Sequence, residues 1–297
     1  MEIFTKLNYN PNLSLALGYF DGVHTGHKAV IKNAVEYAKQ NNTKSAVITF
    51  IDHPCCYFWG VCPKYILTRE ERERKIFELG VDYIYELDFE NISHLTAEEY
   101  LKDILIENFE PLSISTGHNH NFGAKKSGNT NFLNKMSKEF EYKYFEMPMQ
   151  ELNNKTISST EIRNLLSNGE ILKANEMLGY NYIIRGEVIK GDQIGRKLGF
   201  KTANLVYPPE LIDLPFGVYS VLVKINEQAY RGVANVGVRP TVSNTNQRVL
   251  EVHILDFDKD IYGEIISIEF LNMIRSEQKF NSLEELKIQI QKDISRI

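Results

Sequence analysis

Residues 13–27 read LSLALGYFDGVHTGH, and this stretch decides the fold of the first half of the chain. Leu13 to Tyr19 is a short apolar run bounded by a turn, the pattern of a buried strand. Gly18, Gly22 and Gly26 then allow sharp backbone bends and close approach to a ligand. From Gly26 to Gln40 the sequence GHKAVIKNAVEYAKQ sets Ala29, Val30, Ala34, Val35 and Ala38 at helical spacing. A strand that passes through a glycine turn into a helix opens an α/β domain, and such folds bind ligands at the ends of their strands. The free amides and dipole of the helix start favour phosphate. His24 and His27 flank that point, where imidazole N–H groups can stabilise charge on a reacting phosphate.

Working outward, residues 45–50 (SAVITF) read as a second strand. Residues 68–79 read as a charged helix with Thr68 as N-cap and Gly80 as stop. VDYIYEL is a third strand, residues 96–108 a capped helix, and LSISTG a fourth strand. The order predicts a parallel sheet with helices on both faces, a Rossmann-like α/β domain. From about Tyr182 the pattern changes. YIIRGEVI, GVYSVLVKI, YRGVANVG, RVLEVHIL and EIISIEFL are short strands separated by turns, which predicts a small antiparallel barrel. Residues 282–295 close it as an amphipathic helix, with Ser282 as N-cap and Glu285 at the third helical position. The expected domains are residues 1–181 and 182–297.

Composition bounds the function. The chain has 297 residues, enough for two domains, and a net charge of -5 with a pI near 5.9. That balance argues against a broad nucleic-acid footprint, though not against a local basic pocket for phosphate. No apolar run approaches the roughly 18 residues needed to span a bilayer. The N-terminus lacks the pattern of a signal peptide. The three cysteines, Cys55, Cys56 and Cys62, are an odd, clustered set and a poor disulfide framework, so a reducing cytoplasm is expected. A zinc site with His53 would lack a second ligand pair at metal-site spacing.

Three further segments carry chemistry. Ile157 to Arg163 (ISSTEIR) combines hydroxyls with an arginine on an incipient helix. Ser159 and Thr160 can cap the helix and touch phosphate, and Arg163 can grip phosphate with its planar fork. Taken alone, the segment is a structural capping box. Residues 191–204 (GDQIGRKLGFKTAN) place Gly191, Gly195 and Gly199 at four-residue spacing, with Arg196 between them. This is no P-loop, because the lysine–serine ending is absent. The glycines suit a flap over a nucleotide, and Thr202 and Asn204 offer oxygen ligands of the kind Mg²⁺ takes. In LEVHIL (250–255), strand alternation puts Glu251 and His253 on one face, and Glu251 can accept a proton from an attacking hydroxyl. The plain alternative is a solvated charge on a strand.

The first-half motifs FDGVHTGH, TFIDHP, LTREERERKIFELGVD, GHNHNFGAKKSGN and ISSTEIR resemble the adenylyltransferase half of bifunctional FAD synthetases, within the nucleotidyltransferase superfamily. GRKLGFKTANL, PFGVYSV, RGVANVGVRPTV, LEVHILDFDKDIYG and FLNMIRSEQKF resemble the riboflavin kinase domain in the same order. Three departures stand out. Asn119, in GHNHNFG, replaces a usual aspartate; Asp52 and Lys201 replace prolines.

The resemblance implies two reactions: riboflavin phosphorylation to FMN, then adenylylation of FMN to FAD, with ATP as co-substrate and Mg²⁺ as metal. It implies His24, His27, Arg163 and Glu251 as catalytic residues. It places nucleotide at Gly18, Phe20, Asp21, Gly22, Ser159, Thr160, Gly191, Gly195, Arg196, Gly199, Thr202 and Asn204. Flavin falls to Asn119, Arg275 and Glu277, and the metal to Thr202 and Asn204. The expected partners are small molecules, with no nucleic acid and no membrane, and any self-association is weak. Three alternatives differ in outcome: a kinase whose adenylyltransferase domain is degenerate, another nucleotidyltransferase, and a non-catalytic flavin-sensing or RNA-binding regulator on the same scaffold. Incubation with riboflavin and Mg-ATP separates them.

Overall fold

The computed structural model describes residues 2–191, 199–239 and 247–297. Contacts divide the chain into two compact units, Met1–Pro63 with Arg69–Ser159, and Lys64–Thr68 with Thr160–Ile297. The contact division thus falls at Ser159/Thr160, whereas the sequence pattern changes near residue 181.

The first unit is built on six parallel strands: β1 (Glu2–Phe4), β2 (Leu13–Leu17), β3 (Lys44–Phe50), β4 (Tyr83–Leu87), β5 (Ser113–Gly117) and β8 (Lys143–Met147). Their order across the sheet is β1-β4-β3-β2-β5-β8. β2 lies inside the sheet and every one of its residues is buried, as a strand covered on both faces must be. Leu13, Leu15 and Leu17 pack into a cluster with Leu101, Leu105 and Phe109. The alternate residues face the other side, against the helix Thr25–Gln40, which buries Val30, Ile31, Ala34, Val35 and Ala38. Two short hairpins, β6 (Asn121–Phe122) with β7 (Gly128–Asn129) and β9 (Glu151–Leu152) with β10 (Lys155–Thr156), decorate this unit.

The expected helix at 96–108 exists but is not regular. Thr96 caps it through a reciprocal capping box with Glu99, after which Tyr100–Ile106 winds as a π-helix. The wider turn keeps Tyr100, Leu101, Ile104 and Leu105 all on the buried side.

The second unit is an antiparallel sheet of six strands: β11 (Tyr182–Glu187), β12 (Thr202–Val206), β13 (Gly217–Ile225), β14 (Gln228–Arg239), β15 (Gln247–Ile254) and β16 (Ile265–Ser276). The order is β11-β16-β13-β14-β15-β12. A single bridge between Ile189 and Asn204, with Ile189 N–H donating to the Asn204 carbonyl at 2.8 Å, joins the two ends of this order. The helices Ser159–Ser167 and Ile171–Leu178 precede the sheet, and Asn175 ties the second of them to the main chain of Tyr182 and Phe270. Lys64–Thr68, from the first half of the sequence, joins this unit through main-chain bonds of Tyr65 to Glu210 and Ile212. The terminal helix Leu283–Ile294 starts as expected, with Ser282 Oγ accepting from Glu285 N–H at 3.2 Å.

One expectation fails. Cys56 and Cys62 are joined by a disulfide across a separation of six residues, and Cys55 is the free cysteine. The clustering that argued against a framework brings these two Cα atoms within 4.3 Å, close enough for a local bond. Among the described residues, no group of three or more potential metal ligands occurs.

Candidate functional site

Two constellations emerge, one in each unit. In the first, β2 ends at Leu17, and Gly18 N–H still bonds to Ile48 across the sheet at 3.2 Å. The chain then leaves regular geometry: Phe20, Gly22 and Val23 all have positive φ, at 59°, 80° and 36°. Glycine suits the second of these positions, whereas Phe20 and Val23 carry a backbone cost. Phe20, Asp21 and His24 are nonetheless buried, so the turn is held by its surroundings.

His24 is the N-cap of the helix Thr25–Gln40. Its Nδ1 accepts from the His27 main-chain N–H at 3.3 Å. A neutral imidazole that accepts at Nδ1 carries its proton at Nε2, so Nε2 of His24 is a donor. The His27 ring stacks on that of His24, with centroids 3.5 Å apart, and meets Phe20 edge-on. Two imidazoles are thus fixed side by side at a helix N-terminus, where anions are favoured.

Ser159 joins this turn from far along the chain, donating from Oγ to the Asp21 carbonyl at 2.9 Å. Ser159 is the last residue of the first unit; Thr160, which is exposed, and Arg163 follow on the same helix and belong to the second. Asn119 is exposed beyond β5, and its carbonyl accepts from Asn121 Nδ2 at 2.9 Å.

The turn has a buried support that the sequence reading did not identify. Arg72 Nη2 donates to Glu86 Oε1 at 2.9 Å and to the Phe50 carbonyl at 3.0 Å. Its guanidinium lies 4.4 Å from the centre of the Tyr19 ring, which meets the His53 ring edge-on. Arg69 adds a second ion pair to Glu86, which is fully buried. The cation–π contact and the paired carboxylate hold Tyr19 between Gly18 and the irregular turn. LTREERERK hinted at charge, but its helical pattern alone reads as a solvated face.

In the second unit, strand register sets the site. Asn204 on β12 lies opposite Glu251 on β15, and Glu251 lies opposite Asn235 on β14. Directly opposed residues project to one face, so Glu251 stands between two amide side chains. The same row continues through Val218 to Arg275. Glu251 and His253 share a half-buried face, while Leu250, Val252 and Ile254 are buried. In this unit Asn235 is a residue that sequence reasoning missed; the register supplies the signal.

Thr202 and Asn204 line a pocket of about 200 Å³ together with Gly191, Lys201 and Asp258. Gly191 packs closely there: a Cβ on it would sit 2.5 Å from the Asn204 side chain, which would have to shift. Gly199 follows at φ 90°. Gly195 and Arg196 lie outside the described residues. Arg275 is engaged elsewhere than the pocket, in a two-pronged ion pair of Nε and Nη2 with buried Asp293 on the terminal helix, each at 2.9 Å. Glu277 N–H bonds to the Phe216 carbonyl at 3.1 Å.

Comparison with known proteins separates the two constellations in the same way. A family model described as FAD synthetase matches residues 6–161, and one described as riboflavin kinase matches residues 178–297. A bifunctional riboflavin kinase/FMN adenylyltransferase from Listeria monocytogenes is 35% identical over 285 residues, covering 95% of this chain and 90% of the relative. The chain belongs to the bifunctional riboflavin kinase/FMN adenylyltransferase family. Members from Bacillus subtilis and Escherichia coli K12 are 36% and 34% identical, each covering 94% of this chain, with 89% and 90% of the relatives covered. A crystal structure described as a macrolide-efflux protein from Streptococcus pneumoniae matches with a TM-score of 0.88 and 33% identity, covering 99% of this chain and 97% of that one. No helix among the described residues is long and apolar enough to cross a membrane.

Within the family, this chain is an enzyme with a FAD synthetase domain and a riboflavin kinase domain. Both halves are matched, which disfavours a kinase-only chain and a non-catalytic regulator.

Proposed function

We propose that the chain converts riboflavin and ATP to FMN and ADP in residues 182–297, and FMN and ATP to FAD and diphosphate in residues 1–181. The observation that carries the first step is the row Asn204–Glu251–Asn235 beside the pocket. Glu251 takes the proton from the terminal ribityl hydroxyl as that oxygen attacks the γ-phosphate. Thr202 and Asn204 would hold Mg²⁺: a hydroxyl and an amide oxygen are hard, neutral ligands that leave room for phosphate oxygens. When bound, the ion neutralises charge on the transferred group. Arg275 and Glu277 are assigned to the flavin side. Asp293 occupies the Nε–Nη2 edge of Arg275 and fixes its guanidinium, which leaves the outer Nη end of the planar group to the flavin.

For the second step, the FMN phosphate attacks the α-phosphate of ATP. A phosphate is ionised at neutral pH, so no protein base is needed. His24, His27 and Arg163 act on charge that develops at the α-phosphate, with Gly18, Phe20, Asp21, Gly22, Ser159 and Thr160 around the nucleotide. The stacked imidazoles at a helix start support this reading. Asn119 is assigned to flavin. The setting is cytoplasmic; the partners are small molecules, with no nucleic acid and no membrane, and any self-association is weak.

The test is incubation with riboflavin and Mg-ATP, followed by separation of riboflavin, FMN and FAD. A folded double variant, His27→Ala with Arg163→Ala, is expected to make FMN normally and FAD at a rate lower by ~10²–10³ for each donor lost. Undiminished FAD synthesis by that variant would sink the assignment of the first site.

A further inference from the structure

Four charged residues line the second-unit pocket, Lys201 and Lys259 with Asp258 and Asp260. Lys201 precedes β12, and its main chain is pinned: the Lys201 carbonyl and His253 Nδ1 are 2.8 Å apart, and Thr202 pairs with His253 in the ladder. The side chain is not pinned in the same way. Its ammonium reaches the carboxylate of Asp258, and both residues line the pocket. Asp260, also in the lining, is turned to its own turn and accepts from Tyr262 N–H at 3.1 Å.

The Lys201–Asp258 pair is exposed, with side chains 55% and 86% accessible. An ion pair in that setting contributes little net stability. A polyphosphate is a stronger acceptor than one carboxylate, because it presents more charge and several oxygens. The fixed backbone and the flexible four-carbon stem therefore make Lys201 an ammonium that can change partner without moving the strand.

We propose that Lys201 is a phosphate-binding residue of the kinase step, and that Asp258 is its counter-ion before nucleotide binds. On nucleotide entry the ammonium passes from the Asp258 carboxylate to the polyphosphate of a nucleoside triphosphate. Asp258 thereby competes with phosphate and sets nucleotide affinity. The inference rests on the assignment of this pocket to Mg-ATP.

The test uses the full chain and measures the KM for Mg-ATP in FMN formation at saturating riboflavin. Lys201→Met is expected to raise it about tenfold with kcat changed little, the loss of one charge-assisted contact. Lys201→Arg keeps the charge and restores the KM, which shows that the barrel folds. Asp258→Asn is expected to lower the KM several-fold in the parent and to have no effect in the Lys201→Met background. Asn204→Ala serves as the reference for the pocket. If Asn204→Ala raises the KM and Lys201→Met does not, Lys201 is a surface charge and the proposal fails. If neither variant moves it, the pocket assignment itself fails. A raised KM in Asp258→Asn overturns the counter-ion role.

Discussion

Ser159 Oγ donates a 2.9 Å hydrogen bond to the main-chain carbonyl of Asp21, 138 residues away in sequence. The bond fastens Ser159, the last residue of the first unit, to the glycine turn, at a point where Phe20 and Val23 hold backbone conformations that neighbours must enforce. Ser159→Ala removes one neutral hydrogen bond, worth ~0.5–1.5 kcal/mol. FAD formation from supplied FMN is expected to fall by about two- to tenfold. Riboflavin phosphorylation should hold, because the bond lies wholly in the first unit. Steady-state assays of the two half-reactions check this; equal loss in both would point to general destabilisation.

Glu251 faces Asn204 on one side and Asn235 on the other. Glu251→Gln keeps the shape and the hydrogen-bonding reach but cannot take a proton at neutral pH. FMN formation is expected to drop by ~10²–10⁴, the usual loss with a general base. FAD formation from FMN should survive in the same sample. A Gln variant with near-parental kinase activity would reduce Glu251 to a charge on a strand.

The sheet of the first unit was legible where both faces are buried. LSLAL, SAVITF, VDYIYEL and LSISTG are apolar enough to read as strands, and all four pair in parallel. The edges were not. Glu2–Phe4 and Lys143–Met147 are partly exposed and mix charge with aromatics, so no periodic signal survives. TANLV was read as nucleotide-binding chemistry, and it is also the sixth barrel strand. The histidines were legible because a helix start demands a cap and a turn. The Arg72–Glu86–Tyr19 support was not, because a buried ion pair between distant segments leaves no local trace.

The Cys56–Cys62 bond gives a direct count. In denaturant without reductant, one thiol per chain, that of Cys55, should react with a disulfide reagent, and after reduction three should react. The closed loop is short, so the bond contributes about 2 kcal/mol at most by the chain-entropy argument. Three reactive thiols before reduction, in protein purified without reductant, would contradict the pairing.

His120 supplies a pH signature. Burial pushes its imidazole down to about 4, so the ring is neutral in the folded protein at pH 7. It stacks on Phe122, with centroids 5.7 Å apart and planes at 24°. In the unfolded chain the same ring takes a proton near the ordinary value of ~6.5. Between those two values the unfolded state binds more protons than the folded state, so stability rises with pH there. The contribution is fully present above about pH 6.5 and is lost as pH falls toward about 4. His120→Phe keeps an aromatic ring against Phe122 and removes the titrating group. The measurement is the calorimetric unfolding of both proteins from pH 7.5 to pH 4.5. Whatever their offset at pH 7.5, the variant is expected to lose less stability than the parent as the pH drops, with the difference opening below about 6.5. Curves that stay parallel over the whole range would mean that His120 titrates alike in the folded and unfolded chains.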